Sequence, residues 1–218
     1  MTEKDLTGRR IVVTAGGTRE PIDPVRYIGN RSSGKMGYAL AEAARDRGAK
    51  VTLITAPTAL SDPTGMEVIY IESVMEMKEA VGKACTAADA LIMAAAPADY
   101  VPKSPAARKI KKGADSLVLE LVKAPDILSG VKGDFLKIGF SAETEDLVEN
   151  TRKKIIEKDC DLFVGNDVTQ DGSGFGVDTN KVIFVDRAGN EEDMPLMTKR
   201  EVAERILDRV AGLLTKKE

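Results

Sequence analysis

The stretch Ala90–Ala95, ALIMAA, carries no polar side chain. A strand that shows apolar groups to both sides must be covered on both faces, the condition of a strand inside a parallel sheet flanked by helices. The rest of the chain agrees. Ile11–Thr14, Val51–Thr55, Val68–Ile71, Leu136–Phe140 and Leu162–Gly165 read as further strands, and helical periodicity lies between them. One helix runs from about Ser33 to Arg47 with Met36, Leu40, Ala43 and Arg47 along one side and Gly48 as its stop. Others run from about Val74 to Ala87 and from about Glu145 to Lys158. The last opens with the capping pair Thr198 and Glu201 and shows Val202, Ile206, Val210 and Leu213 on one face. Alternating strands and helices of this kind predict an α/β fold: a Rossmann-like, doubly wound, mostly parallel sheet.

Two long connections do not fit a plain sheet. Pro97–Gly113 is rich in proline and ends in a basic cluster. Asn166–Asn180 holds Gly172, Gly174 and Gly176, and connections this long inside a compact domain are usually functional. Leu117–Val122 alternates like a strand, and Lys181–Val185 followed by Gly189-Asn190 reads as a hairpin. The last two are expected to project from the sheet as β-arms for dimerisation. The expected organisation is one domain over residues 1–218, with a flap at 97–113 and a loop and hairpin at 166–190.

Composition removes several chemistries. The chain has no histidine, so the commonest general base and metal ligand is missing. Its two cysteines, Cys85 and Cys160, suit small buried apolar groups better than a disulfide framework or zinc site. A net charge of -3 gives no general attraction to nucleic acid or to a membrane. No signal peptide or membrane span is legible, so the expected location is the cytoplasm. Reactivity must therefore rest on Lys, Asp, Glu, Asn, backbone donors and a borrowed metal ion.

Candidate residues gather where strands end, since open α/β sheets bind ligands beyond the carboxyl ends of their strands. Gly16 lies in TAGGTRE after the first strand, where glycines let backbone N–H groups approach phosphate. Asn30, Ser32 and Lys35 lie in GNRSSGKMG, which opens the first long helix. There an anion cradle competes with plain capping by Ser32 or Ser33. Asp99 follows the apolar strand. Lys109-Ile110-Lys111-Lys112 ends the flap, either as solvated surface or as a basic lid over a polyphosphate. Lys123 ends another strand, and Lys154 and Lys158 share one helix face. Neither the dinucleotide fingerprint nor Walker A is present, and the second strand ends Thr55-Ala56-Pro57 without an acidic residue for a ribose. These gaps weigh against a nicotinamide oxidoreductase. A non-catalytic nucleotide-binding module would keep the glycines but has no need of Asn30 or the basic flap.

Six pieces in order resemble the phosphopantothenoylcysteine synthetase family: TAGGTREPIDPVRYIGNRSSGKMG (Thr14–Gly37), AAAPADY (Ala94–Tyr100), KIKK (Lys109–Lys112), VKAPDI (Val122–Ile127), GFSAET (Gly139–Thr144) and NDV…GFGVDTN (Asn166–Asn180). The likeness runs from about Arg10 to Leu214. In many prokaryotes such a unit resembles the second half of a chain whose first half is a flavin-dependent decarboxylase, and Asp5–Arg10 is similar to the join.

The resemblance implies a ligase. 4′-Phosphopantothenate would be activated on the α-phosphate of a nucleoside triphosphate, and the acyl-nucleotide would then acylate L-cysteine, releasing the nucleoside monophosphate. Carried over by motif, Asn30 lies against the acyl group and Lys109 contacts phosphate from the flap. Met93, Ala94, Ala95, Asp99, Val122, Lys123, Ala124, Pro125 and Phe140 surround the nucleotide, and Lys154 and Lys158 face the triphosphate. The resemblance further implies Mg2+, a homodimer and a decarboxylase partner, fused or separate. Bacterial members generally use CTP and eukaryotic ones ATP. Lys-x-Lys-Lys resembles the CTP users, whereas Pro97 departs from the Ala-Val-Ala-Asp of many bacterial relatives. CTP is the expected nucleotide.

Overall fold

A computed structural model describes residues 4–113 and 116–217; residues 1–3, 114, 115 and 218 lie outside that description. β1 (Arg10–Ala15) is followed by the small hairpin β2 (Arg19–Pro21) and β3 (Tyr27–Gly29). α1 (Lys35–Asp46), β4 (Lys50–Thr55), β5 (Glu67–Tyr70) and α2 (Val74–Ala84) come next, then β6 (Ala90–Met93). β7 (Tyr100–Pro102) and β8 (Leu121–Lys123) form a ribbon, followed by the short α3 (Ile127–Gly130) and the long β9 (Leu136–Glu143). α4 (Leu147–Glu157), β10 (Leu162–Asp167), β11 (Thr179–Asn180), β12 (Val182–Asp186), β13 (Glu191–Asp193), β14 (Met197–Thr198) and α5 (Lys199–Lys216) complete the chain.

The main sheet has the order β13-β12-β10-β9-β6-β1-β4-β5. Pairings from β5 through β10 are all parallel, and β12 and β13 add an antiparallel edge. Fully buried Ala90–Met93 lies at the centre, as its two-faced apolar character requires. α1 and α5 cover one face, packing Leu40, Ala44, Val202, Ile206 and Val210 with Val13, Leu53 and Ile92. α2, α3 and α4 cover the other, packing Val74, Met77, Val81, Ile127 and Ile155 with Ile54, Leu91 and Phe163. Cys85 and Cys160 are buried and unpaired there. Burial pushes both thiols up to about 12, so they pack rather than react.

Three expectations change. The hairpin at Lys181–Asn190 does not project: β12 pairs with β10 along Leu162–Asn166 and extends the sheet. Its turn is as expected, with Gly189 at positive φ and Asp186 accepting from the Asn190 backbone and side chain. Of Leu117–Val122 only the end is a strand, three residues paired with β7, while Leu117 and Val118 are exposed. In α5 it is Leu214 rather than Leu213 that is buried with Val210.

The chain crosses from one side of β1 to the other between β4 and β6. Such a reversal leaves a crevice beyond the carboxyl ends of the two central strands.

Candidate active site

A cavity of about 620 Å³ opens at that crevice, a size suited to a small-molecule ligand. Its walls come from four places: the start of α1, the stretch after β6, the ends of β8 and β9 with α4, and the loop between β10 and β11.

TAGGT fixes the stretch after β6. The Thr14 hydroxyl accepts from Ala95 N at 3.1 Å, the Gly16 carbonyl from Ala96 N at 2.8 Å and the Thr18 hydroxyl from Ala98 N at 2.9 Å. The strand-one glycines thus serve as scaffold. Gly16 turns at φ +80 against Ala56 and does not line the cavity. Gly17 admits Asn30, whose carbonyl oxygen would stand 2.7 Å from a Cβ at that position. Glu20 on β2 accepts from Val74 N at 2.9 Å, which ties the β2–β3 hairpin to the start of α2.

Asn30 reaches the cavity from the end of that hairpin. Its amide nitrogen donates to the carbonyls of Ala96 at 3.1 Å and Pro97 at 3.0 Å. Both amide hydrogens are therefore directed at the protein. The side-chain oxygen is the atom left for a substrate donor.

The N-cap of α1 is Gly34 at φ 81, and the Ser32 and Ser33 hydroxyls accept from Gly34 N at 3.4 Å and Lys35 N at 3.5 Å. Ser33 also donates to the Phe175 carbonyl, and Lys35 donates to the Gly176 carbonyl at 3.0 Å and to Asp178 at 2.7 Å. Three loop groups therefore meet the open end of a helix whose free N–H groups favour anions.

Lys154 meets Glu143 and Lys158 meets Asp126, both at 2.5 Å. Burial raises the Asp126 carboxyl, but Lys158 and Ser129 outweigh it and hold the group below its usual range. The pairs hold both lysines along the wall that Phe140, Ala124 and Pro125 share.

Of the residues singled out by sequence, Asn30, Ser32, Met93, Ala94, Ala95, Asp99, Ala124, Pro125, Phe140, Lys154 and Lys158 line one cavity. Gly16, Lys109, Val122 and Lys123 do not. Val122 and Lys123 belong to the exposed β7–β8 ribbon. Lys109 is exposed and its neighbour is tied elsewhere: Ile110 N donates to Asp23 at 3.1 Å, and Arg26 donates to the Ile110 carbonyl at 3.2 Å. The flap thus rests on the β2–β3 hairpin of its own chain. The Arg26 guanidinium beside Asp23 overcomes the effect of burial and keeps that carboxylate ionised.

One residue escaped the sequence reading. Lys199 lines the cavity and is 5% exposed. The only sequence signal was a lysine in the first turn of a helix, where cations are unfavourable. No group of three or more Asp, Glu or Cys suited to a metal exists among the described residues. The carboxylates that line the cavity are Asp99 and Asp126, the latter paired with Lys158, and magnesium commonly binds through substrate phosphates and one or two carboxylates.

The model of the DNA/pantothenate metabolism flavoprotein C-terminal domain matches residues 6–214. The chain belongs to that family. Family members similar to it include the coenzyme A biosynthesis bifunctional protein CoaBC of Bacillus subtilis. That protein is 44% identical over 216 residues, covering 97% of this chain and 53% of the relative. The Mycobacterium tuberculosis protein of the same name is 45% identical over 96% of this chain and 54% of its own. The chain therefore spans about half the length of these relatives. Among solved structures, the C-terminal domain of a CoaBC protein superposes with a TM-score of 0.84 at 40% identity, covering 98% of this chain and all of that one. A Cab2 mutant in complex with phosphopantothenate-cysteine shares the fold at 16% identity, with a TM-score of 0.76 and coverage of 96% and 88%.

Proposed function

We propose that the protein is a phosphopantothenate–cysteine ligase. The observation that carries this reading is one cavity at the sheet's switch point, lined by Lys35, Lys154, Lys158 and Lys199 and opening on the free end of α1. Both phosphorylated substrates are strongly anionic, and cations with oriented N–H groups offset their repulsion. The family relationship and the names of its bacterial members support the same activity.

In the first step the 4′-phosphopantothenate carboxylate, already ionised at neutral pH, attacks the α-phosphorus of CTP. The bond to the β-phosphate oxygen breaks, and pyrophosphate leaves. Lys154 and Lys158 hold the triphosphate, Met93–Ala95 and Phe140 enclose the nucleotide, and Lys109 reaches the site from the flap of a second copy. Asp99 is a lining carboxylate that would be available to hold a magnesium ion bound through the triphosphate, which would offset charge on the leaving pyrophosphate. In the second step the amine of L-cysteine attacks the acyl carbon and CMP leaves with the bonding pair. The amine loses its proton to form the amide. Asn30, with its oxygen facing the cavity, orients a donor of the acyl chain or the incoming amine.

The assembly proposed is a homodimer in the cytoplasm, working with a phosphopantothenoylcysteine decarboxylase, fused or separate. Leu117, Val118, Leu121 and Val122 are exposed on and beside the β7–β8 ribbon and suit cover by a second copy. Lys109, tied away from its own cavity, suits a site shared between copies.

Pyrophosphate release with 4′-phosphopantothenate, cysteine and each of the four nucleoside triphosphates tests the reading. CTP is expected to turn over fastest. Faster turnover with ATP removes the nucleotide assignment alone, whereas no release with any nucleotide removes the ligase.

A further inference from the structure

Lys199 sits where an ammonium is costly. It is the first residue of α5, at the positive end of that helix's dipole. It is nine-tenths buried, and Lys35 pushes its ionisation in the same direction as burial does. Lys35, Lys154 and Lys158 each hold a carboxylate partner, whereas the bonding partners of the Lys199 ammonium are all neutral. If this position served packing alone, a methionine would fill it without those costs.

What the ammonium does is bind the loop. Nζ donates to the Gly174 carbonyl at 2.9 Å, the Thr179 carbonyl at 3.0 Å and Asn180 Oδ1 at 2.7 Å. The Lys199 backbone N–H donates to the Asp178 carbonyl at 2.8 Å. Gly174 reaches its bond through φ +118, which only glycine adopts freely. From the opposite side Ser33 and Lys35 hold Phe175, Gly176 and Asp178. Residues 174–180 are thus clipped between the starts of two helices, and Gly174, Phe175 and Asn180 form a wall of the cavity.

We propose that Lys199 is a positioning residue of the site, fixing residues 174–180 as the wall against which a phosphorylated substrate is held. All three donors of its ammonium are engaged, so it acts through the loop and does not touch the substrate. The proposal rests on the ligase reading above.

Lys199→Met removes the donors and keeps the volume. Hydrogen exchange at Phe175–Asp178, thermal unfolding, and kcat with KM for CTP and for phosphopantothenate are measured on the same preparation. The expected result is a cooperatively folded variant with faster exchange confined to 174–180. Its kcat/KM falls about tenfold or more, carried by KM for one phosphorylated substrate, as displacement of a positioning element produces. Wild-type kcat and KM despite faster exchange would overturn the proposal. So would unchanged exchange, or an activity loss matched by loss of folded protein. Should Lys199→Met fail to fold, Lys199→Gln is read by the same criteria. Failure of the ligase reading shows without any variant, as absence of amide formation by the wild-type protein.

Discussion

Gly17→Ala tests how tightly the site's geometry depends on the strand-one glycines. Gly17 is not at positive φ, so alanine is allowed by its backbone and the cost is contact alone. The added Cβ stands 2.7 Å from the Asn30 carbonyl oxygen, where ordinary contact begins at 3.4 Å. Relief requires about 0.7 Å of separation. Asn30 is held by bonds of 3.1 and 3.0 Å to the Ala96 and Pro97 carbonyls, and a shift of that size along either breaks it. Overpacking of this kind costs about 1–3 kcal/mol, and misplacement of a substrate-positioning group by nearly an ångström costs on the order of a hundredfold in rate. Urea melts and pyrophosphate release, run in parallel, give both numbers. A Gly17→Ala protein with wild-type turnover would refute the reasoning, because it would show either that the contact relaxes freely or that Asn30 need not be held.

Gly82 and Gly212 are controls: both lie in helices with nothing within 4 Å of a Cβ. Alanine at either should stabilise by about 0.5–1 kcal/mol and leave turnover unchanged, read by the same melts. Lys158→Gln removes a charged partner of the triphosphate and should weaken CTP binding by about ten- to a hundredfold in calorimetry; unchanged affinity would return Lys158 to the role of Asp126's ion-pair partner. Burial, with Lys35 adding to it, lowers Lys199 from 10.5 to about 8. Below about pH 8 folded and unfolded chains both hold that proton. Between about 8 and 10.5 the unfolded chain holds it and the folded one does not, so stability relative to Lys199→Met rises with pH, by on the order of 3 kcal/mol across the window. Denaturant midpoints of the two proteins that run parallel from pH 7 to 10.5 would contradict the burial argument.

The central strands and their helices were legible because their signals are local. Ala90–Met93 has no polar face to turn to water, and the Thr198–Glu201 capping box is formed as read. The direction in which a hairpin leaves its sheet is not local: Lys181–Asn190 shows the same alternation and turn whether it projects or pairs with β10. Leu117–Glu120 alternates as a strand does, yet the strand pairing of β8 with β7 begins at Leu121. At the site, Met93, Ala94, Ala95, Ala124, Pro125 and Phe140 of the cavity wall were reached through the family resemblance. It could not show that Thr14, Gly16 and Thr18 face the Ala95–Ala98 backbone rather than a ligand. Lys199 was invisible for the same reason, since its burial arises from loop residues some twenty positions earlier and from the start of α1.

In the proposed ligase reaction, one cavity activates a carboxylate on the α-phosphate of CTP and passes the acyl group to cysteine. Mass analysis of a complete reaction with 4′-phosphopantothenate, cysteine and CTP tests it most directly. The expected products are 4′-phosphopantothenoylcysteine, CMP and pyrophosphate in equal amounts. Formation of CDP and inorganic phosphate, or consumption of CTP without the amide, would contradict it.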